Sequence, residues 1–281
     1  MGTIDLHNHS AFSDGTDTPT ELVKLAQSLG LEAVAVTDHD SVEGVDEALA
    51  AGWENGVEVV PGIEVSSDYR DNNIHILGYY IDHKDPSMRP VLDWVCQERY
   101  ERNFLVCRKF QADGIDITME ELERTYPDAI LGRPHMAELL MRKGYTSSVK
   151  EGFEKYVGKG CPYYMPKLRI PMRRAVEVIL NAGGVPVLAH PLQYDYPENE
   201  VIEMIEYAKS CGIRGIEAYY SEHSPEDQAW VLKMAERYSL AVTGGSDYHG
   251  TRKTHIRMGT GMGDLAVPAE ILPELKRIAN R

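Results

Sequence analysis

Imidazoles and carboxylates recur in this chain where short apolar runs give out. Ile4-Asp5-Leu6-His7-Asn8-His9-Ser10 is the first such place, with Asp14 close behind. In an extended strand, residues i and i+2 lie on one face, so His7 and His9 can point into one site. The run Glu32 to Val36 ends in Thr37-Asp38-His39-Asp40, and Val57 to Pro61 runs out at Gly62-Ile63-Glu64. Val185 to Ala189 ends in His190-Pro191, and Leu240 to Thr243 ends in Gly244-Gly245-Ser246-Asp247-Tyr248-His249. His75 falls near the start of a further run, Ile74 to Ile81. Imidazole with carboxylate suits Zn, Mn or Fe, and suits Ca less well. Six histidines with several acids exceed what one ion can use, so the pattern predicts two or three divalent metals.

These runs alternate with helical patterns. Thr18-Pro19-Thr20-Glu21 offers an N-cap, a proline at the first helical position and a capping-box glutamate. Leu22, Leu25, Ala26 and Leu29 then keep helical spacing up to Gly30. Further helices are expected from Val45 to Asn55, after Pro171, from Glu200 to Ser210, after Ser224-Pro225-Glu226-Asp227, and from Pro268 to Asn280. Such alternation predicts parallel strands with right-handed crossovers. Seven strands are one short of the common barrel, so the expected fold is α/β, a distorted (βα)7 barrel, with a doubly wound open sheet as the alternative. In both folds the strands' C-terminal ends form the working face. From 83 to 167 the alternation stops, and helical patterns cover Val91–Gln111, Met119–Thr125, His135–Lys143 and Val149–Val157. The chain thus divides into a discontinuous barrel domain, 1–82 with 168–281, and a helical insert or cap, 83–167.

A chain of 281 residues can bury a large core as one domain with an insert. Its net charge of -15 argues against a broad basic surface for a nucleic-acid backbone. The charge is uneven: Lys84 to Arg169 carries 15 basic and 13 acidic residues, leaving 14 basic and 31 acidic elsewhere. An acidic, metal-holding body under a more basic segment suits a small phosphorylated substrate, and no long nucleic acid is expected. No apolar run is long enough to span a membrane, and no signal peptide is expected. Four scattered cysteines without a C-x-x-C pair point to reduced thiols and a cytoplasmic protein.

H-x-H-(x4)-D at the start, T-D-H-D after the second strand, the late H-P and the closing G-S-D-x-H resemble the PHP family, named for polymerase and histidinol phosphatase domains. Gly132-Arg133-Pro134-His135, Gly158-Lys159-Gly160-Cys161-Pro162-Tyr163-Tyr164 and Tyr219 to Pro225 resemble its bacterial branch with a helical insert. That resemblance implies metal-dependent phosphoesterase activity on nucleotides, including 3',5'-bisphosphates and 5'-phosphorylated oligonucleotide ends. A related branch splits cyclic phosphodiesters of sugars and nucleotides. It also implies one metal on His7, His9, Glu64 and Asp247, a second on Glu64, His75 and His190, and a third on Asp14, His39 and His249. Asp5 and Asp40 are either orienting partners of these histidines or solvated strand-end acids.

The chemistry follows from charge. A phosphomonoester resists attack because its oxygens are anionic, and divalent metals neutralise them and make water a competent nucleophile near neutral pH. Asp247, His190 and Glu64, which also hold metal, are then the candidate catalytic residues, with His223 beside them. Cationic groups stabilise the transferring oxygens, and the fork of Arg133 suits a phosphate best, followed by Lys159 and His135. An ordinary insert surface or helix cap is the competing reading for these three. His223 either reaches the leaving group or caps a helix beside Ser224. An amidohydrolase-type C–N hydrolase is the alternative class. Its bridging lysine at a strand end has no counterpart here, since Glu64 stands at the corresponding place.

Overall fold

The fold is that of a computed structural model describing residues 2–166 and 169–281. Its first part runs β1 (Thr3–Asp5), α1 (Pro19–Ser28), β2 (Ala33–Val36), α2 (Val45–Asn55), β3 (Glu58–Tyr69), β4 (Asn72–Tyr79). Next come α3 (Arg89–Ala112), α4 (Met119–Thr125), α5 (Arg133–Arg142) and α6 (Val149–Gly152), which continues as a π-helical turn over Phe153–Val157. Alternation returns with β5 (Ile170–Pro171), α7 (Met172–Asn181), β6 (Val185–Leu188), α8 (Glu198–Cys211), β7 (Gly215–Tyr220), α9 (Pro225–Tyr238) and β8 (Ala241–Gly245). β9 (Val267–Pro268) and α10 (Leu272–Ala279) end the chain, so the helix expected from Pro268 begins later and its first residue is a strand residue paired with Thr3.

Helix starts follow their sequences. The Glu21 N–H donates to the Thr18 hydroxyl and the Thr18 N–H donates to the Glu21 carboxylate, at 3.2 and 2.8 Å. Ser224 and Asp227 repeat this reciprocal cap at α9.

The sheet runs β8-β7-β6-β4-β3-β2-β1-β9, with β5 beside β3. β1, β2 and β3 are parallel, as are β6, β7 and β8. Uniformly parallel strands, expected from the alternation, fail at β4, which is antiparallel to both β3 and β6. β3 does not run out at Glu64 but continues to Tyr69, and Arg70 and Asp71, at φ +50° and +63°, fold the chain straight back. Two left-handed residues are what a tight hairpin demands. β4 therefore enters from the rim that the other strands point toward, which brings His75 near its start level with residues that follow those strands.

The sheet curls until its ends nearly meet. The Leu6 N–H donates to the Gly244 carbonyl at 3.1 Å, and the Asp247 N–H to the His7 carbonyl at 2.9 Å. Gly245 is needed at this seam, because a Cβ there would sit 2.3 Å from the His7 nitrogen. Seven staves, β1 to β4 and β6 to β8, thus form a nearly closed barrel. Ile4, Leu6, Ala35, Leu77, Tyr79 and Val187 make one buried cluster with Leu272 and Leu275 of α10. A second core lies among α3, α4 and α5, around Val106, Phe110, Leu122, Met136 and Leu140. The first turns of α3 do not join it, since Val91, Leu92 and Val95 pack with the barrel's outer cluster. No helix among the described residues is long and apolar enough to cross a membrane.

Candidate metal centre

Glu64 lies at the middle of the rim. Its Oε2 is 2.9 Å from His39 Nδ1, 3.2 Å from His9 Nε2 and 3.5 Å from His7 Nε2. Its Oε1 is 2.8 Å from His75 Nδ1 and 3.2 Å from His190 Nε2. Asp247 Oδ1 approaches His9 Nε2 at 3.2 Å and both His7 Nε2 and His249 Nδ1 at 3.5 Å. Asp14 faces His249 at 3.3 Å and His39 at 3.9 Å. All nine residues expected as metal ligands therefore meet in one place.

They form four overlapping groups whose ligand atoms lie within 4.8 Å of one another: His9, Asp14, His39 and His249; His7, Glu64 and His190; His7, His9 and Asp247; His39, Glu64 and His75. This division differs from the one the resemblance implies. Glu64, His75 and His190 do not form a group by themselves, and His9 joins Asp14, His39 and His249. His190 and Asp247 both have positive φ, +23° and +59°, which L-residues rarely adopt and which clusters at functional sites.

The donors fit divalent cations. His7 Nε2, His9 Nε2, His39 Nδ1, His75 Nδ1, Glu64 Oε2 and Asp14 Oδ1 are buried and crowd one another, yet none is in a well-directed hydrogen bond. Buried polar atoms are rarely left so, and imidazole with carboxylate is the donor set of Zn, Mn and Fe sites. Burial alone would raise the Glu64 carboxyl, but His39, His75 and His7 hold it well below its usual range. Asp14 and Asp247 are held low against burial in the same way, by His249 and His39 and by Lys253 and His249. Burial pushes His75 and His249 down to about 4, leaving neutral imidazoles with free lone pairs. His9 is instead carried up to about 9, because Asp247 and Glu64 outweigh its burial. The carboxylates of this cluster call for positive charge between them.

Buried acids behind the ligands hold the rim in place. Asp5 is buried and accepts from the backbone N–H of Ser246 and Gly259 at 2.9 and 2.7 Å, tying β1 to the segments after β8. It is no solvated strand-end acid. Asp40 accepts from the Ser66 N–H at 2.7 Å and from Arg99. Asp247 turns its other oxygen to the Tyr220 hydroxyl at 2.9 Å and to Lys253 Nζ at 2.7 Å. Among the described residues no lysine stands at the C-terminal end of a strand, yet Lys253 reaches the rim from the turn after β8. The sequence reading missed it, as it missed Glu217, which is buried in β7 and bonded to His7 Nδ1 at 2.9 Å. A glutamate inside the run Gly215-Ile216-Glu217-Ala218-Tyr219-Tyr220 was the available signal.

Beside the rim opens a cavity of about 320 Å3 whose walls include Asp14, His39 and His75 on one side and Arg99, Arg102, Arg133, Lys159 and Arg169 on the other. Asp40 holds Arg99, and Asp68 holds Arg169 at 2.8 Å. Arg133 lies over the Tyr164 ring at 5.5 Å, and burial lowers its pKa. Arg102 is buried with Nη2 unpartnered, and burial among Arg99, Arg133 and Arg169 pushes it down to about 9. Among the described residues neither Arg102 nor Arg133 meets a carboxylate. Arg99 and Arg102 share one face of α3, a spacing the sequence reading did not single out.

Two expected substrate contacts lie elsewhere. His135 is fully buried, its Nδ1 accepts the Gly132 N–H at 3.0 Å, and it lines a different cavity with Tyr126, Glu138 and Arg252. It caps α5, which is the competing reading for this residue. His223 donates from Nδ1 to the Ala218 carbonyl at 3.0 Å and packs on Tyr220, so its ring is held by the strand end behind the rim.

The PHP domain family model matches residues 5–158. A 3',5'-nucleoside bisphosphate phosphatase of Chromobacterium violaceum is 33% identical over 89% of this chain and 88% of its own length. A 5'-3' exoribonuclease of Haemophilus influenzae is 31% identical over 87% and 89%. A phosphoribosyl 1,2-cyclic phosphate 1,2-diphosphodiesterase of Eggerthella lenta is 32% identical over 88% and 94%. Among solved structures, one from Chromobacterium violaceum, named an amidohydrolase and holding sulfate, superposes with a TM-score of 0.87 over 99% of this chain and 97% of that one, at 30% identity. Another from Bifidobacterium adolescentis, assigned to the metal-dependent phosphoesterases, gives a TM-score of 0.88 over 99% and 96%, at 28% identity. With its barrel, its histidine-rich rim and these relatives, the chain belongs to the PHP family.

Proposed function

We propose that the protein is a metal-dependent phosphatase for a nucleotide that carries a second phosphate, either a nucleoside 3',5'-bisphosphate or the 5'-phosphorylated end of an oligonucleotide. One observation carries this reading: among the described residues, Arg102 and Arg133 are cations without a carboxylate partner in a cavity that opens onto the rim. A buried charge left alone is costly, and an anionic ligand relieves that cost. The named activities of the relatives support the same chemistry. The exoribonuclease among them keeps an RNA end within the substrate class, whatever the chain's net charge.

In this reading two or three ions of Mn, Zn or Fe are held by His7, His9, Asp14, His39, Glu64, His75, His190, Asp247 and His249. Bound there, they supply charge neutralisation for the phosphoryl oxygens and a nucleophilic water near neutral pH. The chain's own groups do the rest. Arg133 and Arg102 grip the phosphate that does not react, with Lys159 at the mouth of the cavity. Glu64, His190 and Asp247 would hold the cations that receive the reacting phosphate, opposite the two arginines. Tyr220 and Lys253 occupy the outer oxygen of Asp247, so that its inner oxygen stays aimed at His7 and His9. Residues 1–82 and 168–281 act as the metal-holding body, and 83–167 as a cap that selects the substrate.

The test is phosphate release with added manganese from a nucleoside 3',5'-bisphosphate, a nucleoside 5'-monophosphate, a 5'-phosphorylated tetranucleotide and a ribose 1,2-cyclic phosphate. At least tenfold preference for the bisphosphate or the tetranucleotide over the monophosphate is expected. Equal rates on all four, or turnover confined to the cyclic diester, would overturn the proposal.

A further inference from the structure

Glu217 is the only charged residue of β7 and is fully buried. Both of its oxygens are engaged. Oε1 accepts from His7 Nδ1–H at 2.9 Å, and Oε2 accepts from the backbone N–H of His190 at 2.8 Å. A carboxylate only accepts hydrogen bonds, so it requires a proton on His7 Nδ1 and leaves Nε2 to face the rim. His7 Nε2 lies 3.5 Å from both Glu64 Oε2 and Asp247 Oδ1 and belongs to two of the four ligand groups. His190 sits at φ +23°, a sparsely populated backbone conformation that persists only when its surroundings hold it. The bond from its N–H to Glu217 is such a hold, and the imidazole it aims lies 3.2 Å from Glu64.

We infer that Glu217 is a positioning residue that sets two metal ligands at once, fixing the tautomer of His7 and the backbone that presents His190. The inference rests on the reading of His7 and His190 as ligands. Carboxylates behind metal-bound imidazoles orient the ring and raise its basicity. Here one carboxylate does this for His7 and extends to a second ligand through the main chain. The arrangement joins β7, which carries none of the nine expected ligands, to the ends of β1 and β6, which present His7 and His190. A glutamine of the same shape cannot replace it. Its amide offers one acceptor and one donor. Either His190 N–H then faces an N–H, or His7 must take its proton on Nε2 and lose the lone pair it presents. Aspartate keeps both acceptors but is one methylene shorter, so it reaches only one of the two donors at full strength.

Zinc is the probe, because it is diamagnetic and suits the donor set. The wild-type protein, stripped and reloaded with zinc, is expected to show His7 with a slowly exchanging Nδ1–H and a zinc-shifted Nε2 in histidine 15N spectra, assigned against His7→Asn. In calorimetric titrations, Glu217→Gln is expected to bind zinc about 10- to 100-fold more weakly at the positions using His7. The group of His9, Asp14, His39 and His249 should titrate as in wild type, with Glu217→Asp intermediate. Ligation of His7 through Nδ1 overturns the inference on the wild-type protein alone, so the outcome does not depend on whether a variant folds. Zinc affinity of Glu217→Gln within twofold of wild type overturns it while leaving the metal centre standing. A wild type that takes up no zinc overturns both.

Discussion

The rim of the barrel and the underside of the insert face one another across one cavity but are built on opposite terms. On the rim, acids and imidazoles answer one another: Glu64 alone lies within 3.5 Å of five histidines. Its residues come from strand ends and short turns, tied by backbone bonds to Asp5, Asp40 and Glu217. The insert side offers guanidinium groups on α3 and α5, and two of them, Arg102 and Arg133, meet no carboxylate among the described residues. A set of donors that cations complete serves a reaction whatever the rest of the substrate is. A set of cations is complete only with a particular anion. The chemistry and the choice of substrate are thus separable, and substitutions on the two sides should fail differently.

The largest effect is expected at the rim. Glu64→Ala removes the carboxylate shared by two ligand groups, and catalysis by the metals is worth several kcal/mol, so kcat should fall by roughly 10^3-fold or more for every substrate. Inductively coupled plasma analysis should find metal lost in parallel. A loss below tenfold, or one confined to bisphosphates, breaks the separation. The next effect belongs to Arg133. Arg133→Ala removes charge-assisted bonds worth about 1.5–3 kcal/mol, so kcat/KM for a doubly phosphorylated substrate should fall by about 10- to 100-fold. The monophosphate should lose far less, and metal content should not change. Equal losses on both substrates would place Arg133 with the chemistry.

How far the sequence was legible follows the same division. Rim residues announce themselves, because each stands beside an apolar run and carries a ligand side chain. His7, His9, His39, His190 and Asp247 could be found by position along the strands. His75 looked out of place because the hairpin at Arg70-Asp71 reverses β4, and two turn residues of ordinary type do not announce a reversal. Glu217 and Lys253 act through contacts with His7 and Asp247 that lie at sequence separations of 210 and 6, with no shared motif. In the insert, arginine types were visible but their partners were not. Whether Arg99 or Arg133 meets an acid depends on how α3 and α5 lie over the barrel. His135 shows the limit of a local motif, since in Gly132-Arg133-Pro134-His135 the arginine faces the cavity and the histidine caps its own helix.

The seam between the two regions gives a smaller effect that depends on pH. Glu138 of α5 accepts from Arg252 Nε at 2.9 Å and also pairs with Arg142, so the loop beside Asp247 is tied to the insert. Burial would raise the Glu138 carboxyl, but Arg252 and Arg142 hold it below its ordinary value of 4.5. A carboxylate whose folded pKa is depressed contributes stability above its ordinary value, and that contribution fades as pH falls through the folded one. Glu138→Gln should therefore lower stability by about 1–3 kcal/mol at pH 7. Thermal melts should show the gap to wild type narrowing below about pH 4.5. A gap that stays constant with pH would show that the tie works through packing and not through charge.

Burial grades the insert's cations, and the smallest effect lies at the exposed end of that series. Among the described residues, Lys159 Nζ reaches only Asn72 Oδ1, at 3.4 Å, from the exposed mouth of the cavity that Arg133 lines from within. A solvated ammonium on a flexible stem gives little net energy to a partner, typically about 0–1 kcal/mol, and salt screens it. Lys159→Ala should therefore cost no more than about fivefold in kcat/KM for the doubly phosphorylated substrate. The deficit should vanish as ionic strength rises from about 0.05 to 0.5 M, where the screening length shrinks to a few ångströms. The Arg133→Ala deficit should persist over the same range, since a buried bidentate contact is screened much less. If both deficits disappear together with salt, the insert attracts its substrate by diffuse charge. Only a persistent Arg133 deficit beside a vanishing Lys159 deficit fits an insert that recognises a phosphate at a fixed place.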